Sequence, residues 1–187
     1  MTMSWAKLRA FAILPIAAPA LGLFSPPARA GTAAQLNAEA TGALHRLYAE
    51  SPKAADLGRR ARAILVFPRI VKAGFLIGGQ GGEGVLFIGG RPAGYYRIAA
   101  VSYGLQAGGQ SFSYALFLMN DKALAYMNRS GGWAIGSGPS VVIMDKGAAK
   151  STTSTTISQD VYAFPFGQKG LMAGLGLEGS KITRITK

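Results

Sequence analysis

The sequence predicts an α+β fold, with N-terminal helices packed on a glycine-rich, strongly curved, mainly antiparallel β-sheet or barrel-like sheet. Three observations carry that expectation. Between Thr32 and Arg62 the apolar residues recur at helical spacing. From Ala63 onward they come instead in short runs rich in Ile, Val, Phe and Tyr, and most of the chain's 26 glycines punctuate those runs. Helices therefore come first and strands follow, without the alternation that builds a parallel sheet.

The first 30 residues read as a leader. Lys7 and Arg9 open it, an apolar run follows from Ala10 to Phe24, and Ser25-Pro26-Pro27 breaks that run. Ala28-Arg29-Ala30 has the small-x-small pattern of a signal-peptidase site, so cleavage is expected between Ala30 and Gly31. A membrane anchor would need about 20 apolar residues, and this run is shorter and holds two prolines. No twin arginine precedes the run and no cysteine follows the cleavage site, which argues against Tat export and lipid anchoring. The expectation is an exported protein, periplasmic or secreted and peripherally membrane-associated, with residues 31–187 as one domain: a helical region 31–62 and a β-rich region 63–187.

Within that domain Leu36, Ala40, Ala43, Leu44 and Leu47 line one face of a first helix that Thr32 caps. Such an amphipathic helix either rests on a bilayer or packs on its own sheet, and the pattern favours packing. Ser51-Pro52 supplies an N-cap and a first-turn proline for a second helix running toward Arg62. Ala63-Ile64-Leu65-Val66-Phe67 reads as a buried strand closed by Pro68. Residues 74–77 and 85–88 read as the arms of a hairpin whose connection is Gly78-Gly79-Gln80-Gly81-Gly82-Glu83-Gly84, and Gly89-Gly90-Arg91-Pro92 as the next turn. Tyr95–Tyr103 and Leu105–Met119 read as strands interrupted at Gly104 and Gly108-Gly109. Asn120 or Asp121 caps a short helix over Lys122–Asn128. Strands are expected over Trp133–Met144, Val161–Phe166 and Lys181–Ile185, with Ser151–Thr156 a strand or loop and a glycine-bearing run over Leu171–Leu177. Glycines inside strands mark bends, bulges or close backbone approach, which is why the sheet is expected to curve.

Composition narrows the function. The chain carries 20 Lys and Arg against 8 Asp and Glu, a formal charge of +12; three of those cations, Lys7, Arg9 and Arg29, lie in the leader. The surplus suits anionic partners, and export argues against nucleic acid. With no cysteine there is neither a disulfide framework nor a thiolate metal site. His45 is the lone histidine, too little for a metal centre, and no metal site is expected. Ser137, in Gly136-Ser137-Gly138, lacks the surroundings of a nucleophile elbow. Glu83 and Glu178 read as polar residues of glycine-rich turns. The G-x-G-x-x-G matches at Gly79-Gly81-Gly84 and Gly174-Gly176-Gly179 lack the strand-to-helix setting that dinucleotides require. No catalytic residue and no cofactor are expected. Between Asp56 and Glu83, however, stand Arg59, Arg60, Arg62, Arg69 and Lys72 with no acid among them, the candidate contacts for lipid headgroups.

Several separated motifs resemble the SYLF domain, found in lipid- and actin-associated eukaryotic proteins and in exported bacterial ones. Ala63–Pro68 with Val71-Lys72-Ala73-Gly74-Phe75 looks like that family's opening strand and turn, and Gly78–Val85 like its glycine-rich hairpin. Ser102-Tyr103-Gly104-Leu105-Gln106-Ala107-Gly108-Gly109-Gln110 is similar to its central S-W-G-x-Q-x-G stretch, with tyrosine in place of tryptophan. Gly138-Pro139, Lys169–Gly174 and Leu177–Ser180 complete the order. Pro92–Tyr96 lacks the family's usual W-S pair, and the sequence holds no SH3 or FYVE domain. The resemblance implies non-catalytic binding of anionic phospholipids, phosphoinositides in the family at large, and actin binding in some members, which an exported protein does not meet. The alternative is an envelope structural or interaction protein binding a protein or acidic polymer.

Overall fold

The computed structural model describes residues 31–129, 131–144, 158–170 and 179–187. Ala28 and Ala30 of the expected cleavage site, the 151–156 run, the 171–177 run and Glu178 lie outside these residues; Gly31 lies within them. Helix α1 spans Ala33–Glu50, and Thr32 caps it, its Oγ1 accepting the Gln35 N–H at 3.2 Å. Ser51 serves both helices. Its N–H donates to Leu47 O at 2.9 Å to close α1, and its Oγ accepts the Ala54 N–H at 3.2 Å to open α2, Pro52–Arg60. Extended backbone at Ala61 ends α2 just short of Arg62.

The sheet grows from one very long hairpin. Strand β1, Ala63–Ile88, pairs antiparallel with β2, Arg91–Leu118, from Ala63 opposite Leu118 to Ile88 opposite Arg91. Gly89 and Gly90 form its two-residue turn with φ of 57° and 77°, the left-handed pair whose twist matches the flanking strands. Three sequence expectations are corrected here. Pro68 does not close a strand: it sits at the register shift between Phe67 and Ile70, where the missing N–H is tolerated, and Ser113 Oγ donates to its carbonyl at 2.7 Å. The 78–84 glycines do not form the hairpin connection. They pair with Ser102 through Tyr96, because β1 folds over on itself and its two legs meet through glycine. A Cβ on Gly82 would lie 2.4 Å from Arg69 O, and one on Gly84 2.6 Å from Val66 O. At the fold, a Cβ on Gly74 would lie 2.3 Å from the Gly78 Cα. Likewise Gly104 and Gly108-Gly109 stand within β2 and do not interrupt it.

Helix α3, Asp121–Met127, is capped by Asn120, whose Oδ1 accepts the Ala123 N–H at 2.9 Å. Short strands β3, Trp133–Ala134, and β4, Val141–Ile143, replace the single strand expected over 133–144. Gly136 and Gly138, at φ of 102° and 83°, break it, and Trp133 Nε1 ties the turn by donating to Ser137 O at 2.9 Å. Strands β5, Val161–Gly170, and β6, Lys181–Ile185, both pair with β2 on the side away from β1. β6 holds one register against it, with Ala99 facing Lys181, whereas the β5 register shifts between Ser111 and Ser113 before Gln110 meets Gly170. Pairing among the described strands is antiparallel except between β4 and β5. The result is the α+β architecture with a strongly curved sheet that the sequence predicts.

Each leg buries both faces near the helices. Leu65, Phe67, Ile70, Leu86, Ile98, Phe112 and Leu116 fill the inner face, between the legs. Val66, Val85, Phe87, Ala115, Phe117 and Phe164 fill the other, under Leu36, Ala40, Ala43 and Leu47 of α1 and Ala54 and Leu57 of α2. Two-sided burial explains why Ala63–Phe67 and Tyr114–Leu118 read as unbroken apolar runs, not alternating ones. It also places the apolar face of α1 on the sheet.

Candidate functional site

The start of β1, α1, α2 and the Gly89-Gly90 turn enclose a cleft of about 420 Å³. Leu44, Ile64 and Phe87 give it an apolar floor, Arg59 and Arg62 give it a cationic rim, and His45 stands beside them. Tyr48 enters the same cleft above Gly58, where any Cβ would overlap the phenol. Burial pushes the Tyr48 pKa up, and the Arg59 charge pulls it partly back.

The structure divides the five predicted cations. Arg59 and Arg60 both pair with Asp56, at 3.1 and 3.5 Å, across one turn of α2. Arg62 makes a bidentate pair with Asp121, Nε at 2.9 Å and Nη2 at 3.2 Å, joining the start of β1 to the start of α3. The Asp56 pairs are legible in the sequence from their i,i+3 and i,i+4 spacing; the Asp121 pair joins residues 59 apart and is not. Arg69 and Lys72 sit elsewhere. At about 3.3 Å per residue, Arg69 lies ~20 Å along β1 from Ala63. Arg69 is exposed on the helix-bearing face, whereas Lys72, half-buried opposite Gln110, belongs to the inner face.

Glu83 is also corrected. It lies within β1, not in a turn, and accepts Lys187 Nζ at 2.6 Å and Arg97 Nη2 at 3.2 Å. The Lys187 hydrogen bond, aided by Arg97, holds its carboxyl below the usual carboxylate range against the opposing effect of burial. The Lys187 side chain is only 8% exposed, and its Nζ also reaches Gly31 O at 2.9 Å. A second carboxylate, Asp160, knits β2, α3, β4 and β5. It accepts the Ser140 N–H at 2.9 Å and Asn120 Nδ2 at 2.7 Å, which hold it too below its ordinary value. Both carboxylates are committed to structure.

Ser137 Oγ donates to Ala134 O at 2.7 Å, while His45 stands exposed on α1. Among the described residues no group of three or more His, Asp or Glu side chains is placed to hold a metal ion. No described helix is long and apolar enough to cross a membrane.

Sequence reasoning missed a different surface. Val71, Ile77 and Val101 are 50%, 62% and 65% exposed, where the long hairpin runs beyond the helices. The only signal for it was the density of glycine around those residues.

A cleft with a cationic rim, a basic sheet and carboxylates tied up in ion pairs define a binding domain. Residues 99–187 match the family described as Ysc84: Las17-binding protein actin regulator. This is the SYLF family that the motifs resemble, generally a family of binding domains, and over these residues the chain is similar to it. The match takes in most of β2 and everything after it, leaving α1, α2 and β1 outside. No curated protein matches the chain.

Proposed function

We propose that the chain is exported and binds anionic phospholipid at a membrane surface without transforming it. The observation that carries this reading is the charge layout: residues 57–82 and 84–120, which hold nearly the whole β1–β2 hairpin, contain no acid at all. A surface of one sign over that length attracts an anionic bilayer. Headgroups are met by Arg59, Arg60 and Arg62 about the cleft and, farther along β1, by Arg69 on the helix-bearing face and Lys72 on the inner face. The family's description speaks of Las17 binding and actin regulation; an exported chain meets neither, and lipid is the partner that its charge selects.

Vesicle flotation with residues 31–187, which hold both cores, tests the reading. Binding to phosphatidylcholine vesicles containing phosphatidylglycerol is expected, with none to phosphatidylcholine alone. It should weaken steeply toward physiological salt, where the Debye length is ~8 Å. Changing Arg59, Arg60 and Arg62 together to glutamine should cost about 1 kcal/mol, since Asp56 and Asp121 already share their charge. Equal binding to both vesicles, or binding to neither alongside capture of an acidic polymer, would overturn it.

A further inference from the structure

The helix-bearing face of the sheet continues past α1 and α2. Side chains alternate along a strand, so residues in register with the buried Ala115 and Phe117 can be followed outward along β2. They are Ser111 and then, beyond the fold, Val101, Ala99 and Arg97. Their partners on the flanking strands are Val71 and Lys169 for Ser111, Gly79 for Val101, and Gly81 and Lys181 for Ala99. Ile77 lies diagonal to Val101 on this same face, and Arg69 next to Val71. Among the described side chains beyond the helices, Val71, Ile77 and Val101 stand exposed on this face beside Gly79, Gly81 and Ala99.

We propose that this distal surface enters the lipid bilayer, led by the fold of the hairpin at Gly74–Gly78. The inference rests on the anionic-lipid reading and names the part of the molecule that docks. Three features select a bilayer as the occupant. The aliphatic side chains lie at the far end of the hairpin and gain by transfer to the acyl boundary. Arg69, Lys169 and Lys181 flank them at headgroup level, and the nearest described acid on β1 or β2, Glu83, is held by Lys187 and Arg97. On either side of the fold, at Val71–Phe75 and Ile77–Gln80, the β1 backbone is paired with β2, so most of the polar groups that meet the boundary are already satisfied. A second copy of the chain would set these cations against their own kind. An acidic polymer would leave the aliphatic side chains in water.

The test uses residues 31–187 and vesicles of phosphatidylcholine with phosphatidylglycerol. The double change Ile77→Asp with Val101→Asp should weaken binding about tenfold or more. The triple glutamine change at Arg59, Arg60 and Arg62 should weaken it by about fivefold. Both positions lie outside the core, so the unfolding midpoint of the double variant should match the parent. A gain-of-signal variant, Ile77→Trp, should show blue-shifted emission on binding and quenching by brominated acyl chains, against the constant background of buried Trp133. If the parent binds but Ile77→Trp stays unquenched and the aspartate pair binds as well as the parent, the tip is not the docking surface, while the lipid reading stands. If the parent binds no anionic vesicle, both fall. Loss of self-association, and not of vesicle binding, in the aspartate variant would assign the face to a second copy and overturn the proposal.

Discussion

The two ends of one sheet face behave as different materials. Near the helices, Val66, Phe87, Ala115 and Phe117 are covered by α1 and α2, and the nearby cations Arg59, Arg60 and Arg62 are answered by Asp56 and Asp121. Toward the fold the same strands, past register shifts at Phe67/Ile70 and Phe75/Ile77, expose Val71, Ile77 and Val101 beside Arg69, Lys169 and Lys181. Pairing with β2 is common to both ends, so hydrogen bonding does not distinguish them. What differs is the presence of a second layer. Stability is concentrated at one end, which leaves the other available for contact.

The largest test of that contrast is truncation at each end. Phe117→Ala, beneath α1 and in edge contact with Phe164 at 5.3 Å, should cost about 3–5 kcal/mol in denaturant unfolding. Val101→Ala should stay within about 0.5 kcal/mol. A loss at Val101 comparable with that at Phe117 would show that the distal face is covered after all.

Glycines sharpen the comparison within a single strand. Gly84→Ala forces a Cβ against Val66 O and Phe67 and should destabilise by about 1–3 kcal/mol. Gly79→Ala meets only Ala100 O at 3.6 Å and should be neutral, or stabilising by about 0.5 kcal/mol through the unfolded chain. Similar losses at both would mean that the legs of β1 do not meet where these contacts place them.

A smaller effect belongs to the buried-end carboxylate. Asp160→Ala removes the acceptor for Ser140 and Asn120 and should cost about 1–2 kcal/mol at neutral pH. The folded Asp160 and Glu83 have pKa values below their unfolded ones. Their contribution is therefore complete above the unfolded values and is lost as pH falls through the folded ones, below about pH 4. Urea titrations of parent and Asp160→Ala should converge on acidification across that window; a constant gap would remove Asp160 from the pH dependence. The smallest effect is expected for Arg62→Gln, whose unfolding midpoint should match the parent's, because the pair with Asp121 is exposed.

The sequence by itself determined the elements whose cause is local. Thr32, Ser51-Pro52 and Asn120 mark three helix starts because a capping side chain and its N–H partner lie within one turn. The Gly89-Gly90 turn is legible because two adjacent residues at positive φ favour glycine. Tertiary structure decided whatever depends on a distant neighbour. The glycines of 78–84 looked like a turn, because sequence does not distinguish a glycine needed for its φ from one needed for close approach to Arg69 and Val66. Five cations looked like one cluster, because strand rise and the Asp121 partner are invisible in a run of residues. Where a face is buried, and where it is left bare, depends on how far two short helices reach along a much longer hairpin. That reach is a property of packing, which no local pattern of residues records.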